Sequence, residues 1–127
     1  MAGDELTLND AGYVGEGRFN SPLPDYPGYV VFSYPFVGRH YKAWLKATRD
    51  KGTADDPLDS LTAFAEWRGA VALVQEWAID GVPKSDVTPD GAVVPVLVMS
   101  WLRVAASLYL AGHFDPKAWP GVSGTTS

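Results

Sequence analysis

Apolar residues recur at steps of three and four through the run FAEWRGAVALVQEW. At that spacing Phe64, Trp67, Val71, Val74 and Ala78 share one side of a helix. Asp56 suits an N-cap, Pro57 the first helical position, and Asp59 lies three residues after the cap. Gly81, Val82 and Pro83 then predict a stop after about Ala78. An earlier helix is expected over 35–49, with Ser33 as N-cap and Pro35 in its first turn. Val37, Tyr41, Trp44 and Thr48 form one face of it, and Arg39, Lys42, Lys46 and Arg49 another. Gly38 in that first turn costs up to about 1 kcal/mol against alanine. A third helix opens at Pro95, closes at Gly112 and is apolar nearly all round.

One segment alone has the β-branched and aromatic content of a strand, GYVVF at Gly28–Phe32. A lone strand is unstable, so it requires a partner. Residues 77–82 and a second copy of the chain are both candidates. The elements predict a mainly α fold of about three helices with one short strand and room for a small β pairing. Residues 1–27, punctuated by Gly and Pro, are expected as an extended arm, 28–112 as the helical core, and 113–127 as a flexible tail. The length of 127 residues fits one domain.

The stretch 93–112 is long enough for a membrane span. Arg103 at its middle costs about 2.5–3.5 kcal/mol on insertion scales, which favours a buried helix. Ser100, Arg103 and Ser107 line up along it as a narrow polar stripe. No membrane partner is therefore expected. The net charge of −5 argues against general nucleic-acid affinity, since phosphate binding needs a basic excess. The absence of cysteine excludes disulfides and thiolate chemistry. Met1 to Asp10 is acidic and lacks a signal peptide's apolar run.

Candidate chemistry is sparse. His40 and His113 have no second ligand at metal-binding spacing. Asp55 and Asp56 are explained by helix N-terminal charge. Asp80, Asp86 and Asp90 lack the alternate-residue spacing of a calcium loop. There is no nucleophile elbow, and Gly12, Gly15 and Gly17 lack the strand and helix that make a phosphate loop. The cationic face of the first helix suits either solvation or an acidic partner. No catalytic residue, cofactor or metal is expected.

Tryptophan is the remaining signal. Three helices offer few places to hide Trp44, Trp67, Trp77 and Trp101, each with an N–H to satisfy. An aromatic side chain buries roughly 150–250 Å², worth about 4–6 kcal/mol at ~25 cal/mol/Å². At least one indole is expected at an interface, where tryptophan is enriched. The expected partner-binding residues are Trp67, Val71, Val74, Trp77, Trp101 and Leu108.

Three segments in order, PGYVVFSYPFVGRHYKAW, WRGAVALVQEWAIDGVP and VPVLVMSWLRVAASLYL, resemble the tail assembly chaperones of long-tailed bacteriophages. The similarity rests on Pro27, Gly28, Pro35, Gly38, Trp44, Trp67, Glu76, Trp77, Ile79, Gly81, Pro95 and Trp101. The resemblance implies a non-enzymatic, mostly helical viral protein of the host cytoplasm. Its implied partner is the tape-measure protein, coated before the tail tube polymerises. The alternative is a structural tail or head-tail connector subunit, retained in the virion as a homo-oligomer joined through its strand.

Overall fold

The computed structural model describes residues 7–49 and 61–114. In chain order these contain β1 (Tyr13–Gly15), β2 (Arg18–Asn20), β3 (Gly28–Phe32), α1 (Gly38–Arg49), α2 (Thr62–Leu73), β4 (Val74–Ile79) and α3 (Val96–Phe114). A single 3-10 turn, Lys84–Asp86, lies between β4 and α3. The four strands form one antiparallel sheet in the order β1-β2-β3-β4. The mainly α expectation is therefore corrected to a mixed α/β fold, three helices and a four-stranded antiparallel sheet.

Two features hid the sheet. The first is a hairpin inside the region expected as an arm. Glu16 and Gly17 join β1 to β2, and both have positive φ, 54° and 80°. Two such residues fit the twist of a tight hairpin. Gly17 is required twice over, because a Cβ there would stand 2.6 Å from the Phe32 carbonyl oxygen. The strands are three residues each, too short to alternate visibly.

The second is the early end of α2. The helix stops at Leu73 and the chain continues at once as β4, so Trp77 lies on a strand rather than a helix. No glycine ends it. Instead the Ser33 N–H and hydroxyl both donate to the Leu73 carbonyl, at 2.8 and 3.1 Å. That satisfies a helix-terminal acceptor and delivers the next six residues to the edge of β3. Pairing of Tyr29 with Ala78 and Val30 with Trp77 places the partner of β3 within the chain. The start expected from Asp56, Pro57 and Asp59 lies outside the described residues.

The first helix begins at Gly38, three residues later than expected. Ser33 is engaged with Leu73, and Tyr34–Pro35 is a cis peptide bond in the link. The start is capped by the His40 ring, whose Nδ1 accepts the Val37 N–H at 3.2 Å. α1 packs on α2 at Gly69, where a Cβ would meet both Trp44 Nε1 and Thr48 Cγ2 at 2.6 Å. The Arg68 side chain also donates to the Ala47 carbonyl at 3.3 Å.

One side of the sheet faces the core. Phe19, Val30 and Phe32 are fully buried there, alternating with exposed Arg18 and Asn20 on β2. Tyr109 of α3 meets Phe19 and Phe32, with ring centroids 6.1 and 5.6 Å apart, and its hydroxyl donates to the Ser33 carbonyl at 2.7 Å. Trp67, Leu73, Val98 and Leu102 complete the centre of the core.

Candidate functional site: the outer face of α3

α3 is apolar enough that the core cannot cover it. It is also the one described helix long and apolar enough to cross a membrane, by length and composition. Seven of its residues, from Val98 to Leu110, are buried against the sheet and α2. Arg103, at mid-helix, pairs with Glu66 of α2 at 2.8 Å. The opposite side is left open. Val96 is 75% exposed, Leu97 56% and Val104 37%, with Val93 just ahead of the helix at 63%. Leu97, Ser100 and Val104 follow steps of three and four, so they form one stripe.

Beside that stripe lies an open cleft of about 240 Å³. Leu97, Ser100 and Val104 form one wall, and Asp10, Ala11 and Leu23 of the N-terminal loops the other. Trp101 makes the floor. Its indole N–H donates to the Ala11 carbonyl at 2.8 Å, which fixes the ring and ties the N-terminal segment to α3. Asp10 stands at the rim, its carboxylate accepting from the Thr7 N–H and hydroxyl. Such a concave, mainly apolar surface with a single charged edge has the chemistry suited to apolar side chains.

The residues expected at a contact are dispersed. Trp67 is fully buried and donates to the Thr88 carbonyl at 2.8 Å. Trp77 is half-buried on the inner side of β4 and donates to the Val82 carbonyl at 2.7 Å. Val71, Val74 and Leu108 are half-buried against the core cluster. Of the six, Trp101 alone borders the cleft. Leu97, Val104 and Leu23 border the cleft but stand outside the tryptophan pattern of the sequence. The signal for them was the uniform apolarity of α3, which exceeds what one buried side needs.

Ionisable groups elsewhere serve the fold. The Arg18 guanidinium lies 3.9 Å from the Tyr29 ring centre on the exposed side of the sheet. The Tyr29 hydroxyl bonds Glu76, whose carboxylate raises the tyrosine pKa above its ordinary value. Asp90 is held below the ordinary carboxylate range by the Thr88 hydroxyl and the Ala92 N–H, both within its own turn. Burial pushes Tyr109 up to about 12. Among the described residues no three His, Cys, Asp or Glu side chains gather as a metal site, so Asp80, Asp86 and Asp90 do not form one.

No family model, curated protein or solved structure matches the chain.

Proposed function

We propose that this protein is a non-enzymatic tail assembly chaperone of a long-tailed phage, and that it holds the tape-measure protein through the outer face of α3. The observation that carries the reading is the exposed Leu97–Val104 stripe beside the cleft floored by Trp101. At 1.5 Å per residue, the Leu97–Val104 stripe offers a helical partner a contact about 10 Å long, two turns of α3. An amphipathic helix laid along it places apolar residues at steps of three and four into the cleft. Such a site tolerates many sequences, because its contacts are apolar side chains rather than oriented polar groups. Phage membership comes from the sequence resemblance, whose mostly helical expectation is replaced by the mixed fold.

Co-expression with a phage tape-measure protein tests the reading. The tape-measure protein should become soluble and co-purify with the wild-type chain. A Leu97→Asp, Val104→Asp variant should stay folded and lose it. Failure of the wild-type chain to co-purify or to improve solubility would overturn the proposal. Mass spectrometry of purified virions then separates a chaperone, absent from the particle, from a retained tail or connector subunit.

A further inference from the structure

The cleft beside α3 carries one formal charge, and the sign of that charge selects among partner segments. Asp10 stands on the rim, and among the described residues no lysine or arginine lines the cleft. The carboxylate is held in place. Its Oδ2 accepts from the Thr7 N–H at 2.9 Å and from the Thr7 hydroxyl at 3.1 Å, while the Asp10 N–H donates back to that hydroxyl at 3.2 Å. The next residue, Ala11, is tied to α3 through the Trp101 indole. Asp10 therefore belongs to a hydrogen-bonded turn fastened to the floor of the cleft, not to a free loop.

The other carboxylate oxygen, Oδ1, has no hydrogen-bond donor among the described residues, and no cation there pairs with Asp10. Asp10 is exposed, and in the free chain bulk solvent satisfies that oxygen. An apolar segment laid over Leu97 and Val104 displaces part of this solvent. A neutral segment then leaves the carboxylate poorer in donors, and an acidic one adds repulsion. A lysine or arginine makes good the loss. Its long apolar stem lies along Leu23 or Val104 while the charged head reaches the rim.

We propose that the segment held by the α3 face is an amphipathic helix with a lysine or arginine about one turn from its apolar anchor, and that Asp10 pairs with this cation and sets the preference for it. The inference rests on the reading of α3 as a partner-binding face and adds the charge of the partner to it. A membrane fits the face less well, since the rim carboxylate would be set against anionic headgroups.

Fluorescence anisotropy on the full chain tests the proposal with three labelled helical peptides, each about three turns long. They share leucines at steps of three and four and carry lysine, glutamine or glutamate at the flanking positions. The lysine peptide should bind about two- to fivefold more tightly than the glutamine peptide, the range of an exposed ion pair, and the glutamate peptide more weakly than both. The lysine preference should shrink as salt rises from about 0.01 M to 0.15 M and the screening length falls from about 30 to 8 Å. Asp10→Asn keeps an acceptor for Thr7 and should bind the lysine and glutamine peptides alike. Glu76→Gln makes the same change of net charge beside Tyr29, on the exposed side of the sheet, and should keep the preference. Equal binding of the lysine and glutamine peptides by the wild-type chain overturns the inference and leaves the α3 face standing, as does a preference that survives Asp10→Asn. Absence of binding by all three peptides, or binding that Leu97→Asp leaves unchanged, overturns the reading of α3 and this inference with it. Phosphatidylserine vesicles that displace the lysine peptide overturn the inference as well.

Discussion

Among its twelve residues α1 buries none, whereas α3 buries seven of nineteen and still leaves Val96, Leu97 and Val104 at the surface. Both helices pack, but by different means. α1 is strongly two-sided, and its apolar side rests mainly on α2, gripped where Gly69 lets Trp44 and Thr48 come close, while Tyr41 meets Phe114 at the end of α3. α3 is apolar nearly all round, broken by Ser100, Arg103 and Ser107, and runs through the middle of the molecule, against the sheet on one side and α2 on another. Clear amphipathic periodicity thus marks the more superficial helix. Apolarity nearly all round marks the central one, and its surplus apolar surface is the face proposed to meet a partner.

The sharpest way to break this contrast is to cut a side chain from the centre of each helix. Leu102 is fully buried, so Leu102→Ala leaves a cavity and should cost about 2–5 kcal/mol. Leu45 is half-buried on α1, and Leu45→Ala should cost well under half as much. Urea unfolding monitored by tryptophan fluorescence compares the two. Equal losses would mean that α1 is as integral to the core as α3.

A smaller effect is expected from Gly69→Ala, which attacks the attachment of α1 directly. The new methyl would sit 2.6 Å from Trp44 Nε1 and Thr48 Cγ2, so these side chains or the helix that carries them must shift. Overpacking of this kind costs about 1–3 kcal/mol. The loss should be local, with amide hydrogen exchange accelerating in α1 while the central residues of α3 stay protected. Uniform acceleration across both helices would contradict the picture of α1 as an outer layer.

What the sequence disclosed follows the same division. The strand Gly28–Phe32 and the helix opened by Pro95 were legible because each satisfies a local rule over its whole length. β4 was not, since VQEWAI continues the helical spacing of α2 and becomes a strand only because Ser33 takes the Leu73 carbonyl and β3 offers its edge. That decision is tertiary. The β1–β2 hairpin lacks the Asn-Gly or Asp-Gly pair that marks such turns, and uses Glu16–Gly17 instead. Candidate site residues were chosen by size and aromaticity. Trp67, Trp77 and Trp101 have internal carbonyl partners, and the exposed face lies on aliphatic positions of α3 such as Leu97 and Val104.

Tyr109 offers a pH-dependent probe of the contact between α3 and the sheet. Its pKa rises to about 12 by burial, against 10 in an unfolded chain. Between those values the folded state keeps a proton that the unfolded state has lost, so stability from this group is complete below pH 10 and falls as pH rises towards 12. Tyr109→Phe should remove that part of the alkaline slope. At neutral pH it should cost about 1–2 kcal/mol, because the buried Ser33 loses the hydroxyl that its carbonyl bonds. Parallel alkaline slopes in the two proteins would show that the phenol ionises without regard to the fold.

The smallest stability effect is expected where the functional effect is greatest. Leu97 is 56% exposed, and a charge there stays in water, so Leu97→Asp should change stability by no more than about 0.5 kcal/mol. On the buried side of the same helix, Val98→Asp would place an unpaired carboxylate in the core and should prevent folding. Neighbouring positions on one helix would then answer separate questions. Covering Leu97 with a partner is worth roughly 1.5–3 kcal/mol, which the aspartate forfeits along with the desolvation cost of its own charge. Titration of the wild-type chain and Leu97→Asp with the tape-measure protein should therefore show at least a tenfold loss of affinity at unchanged melting temperature. A variant that melts early would place Leu97 within the structural core, and one that binds normally would move the contact away from α3.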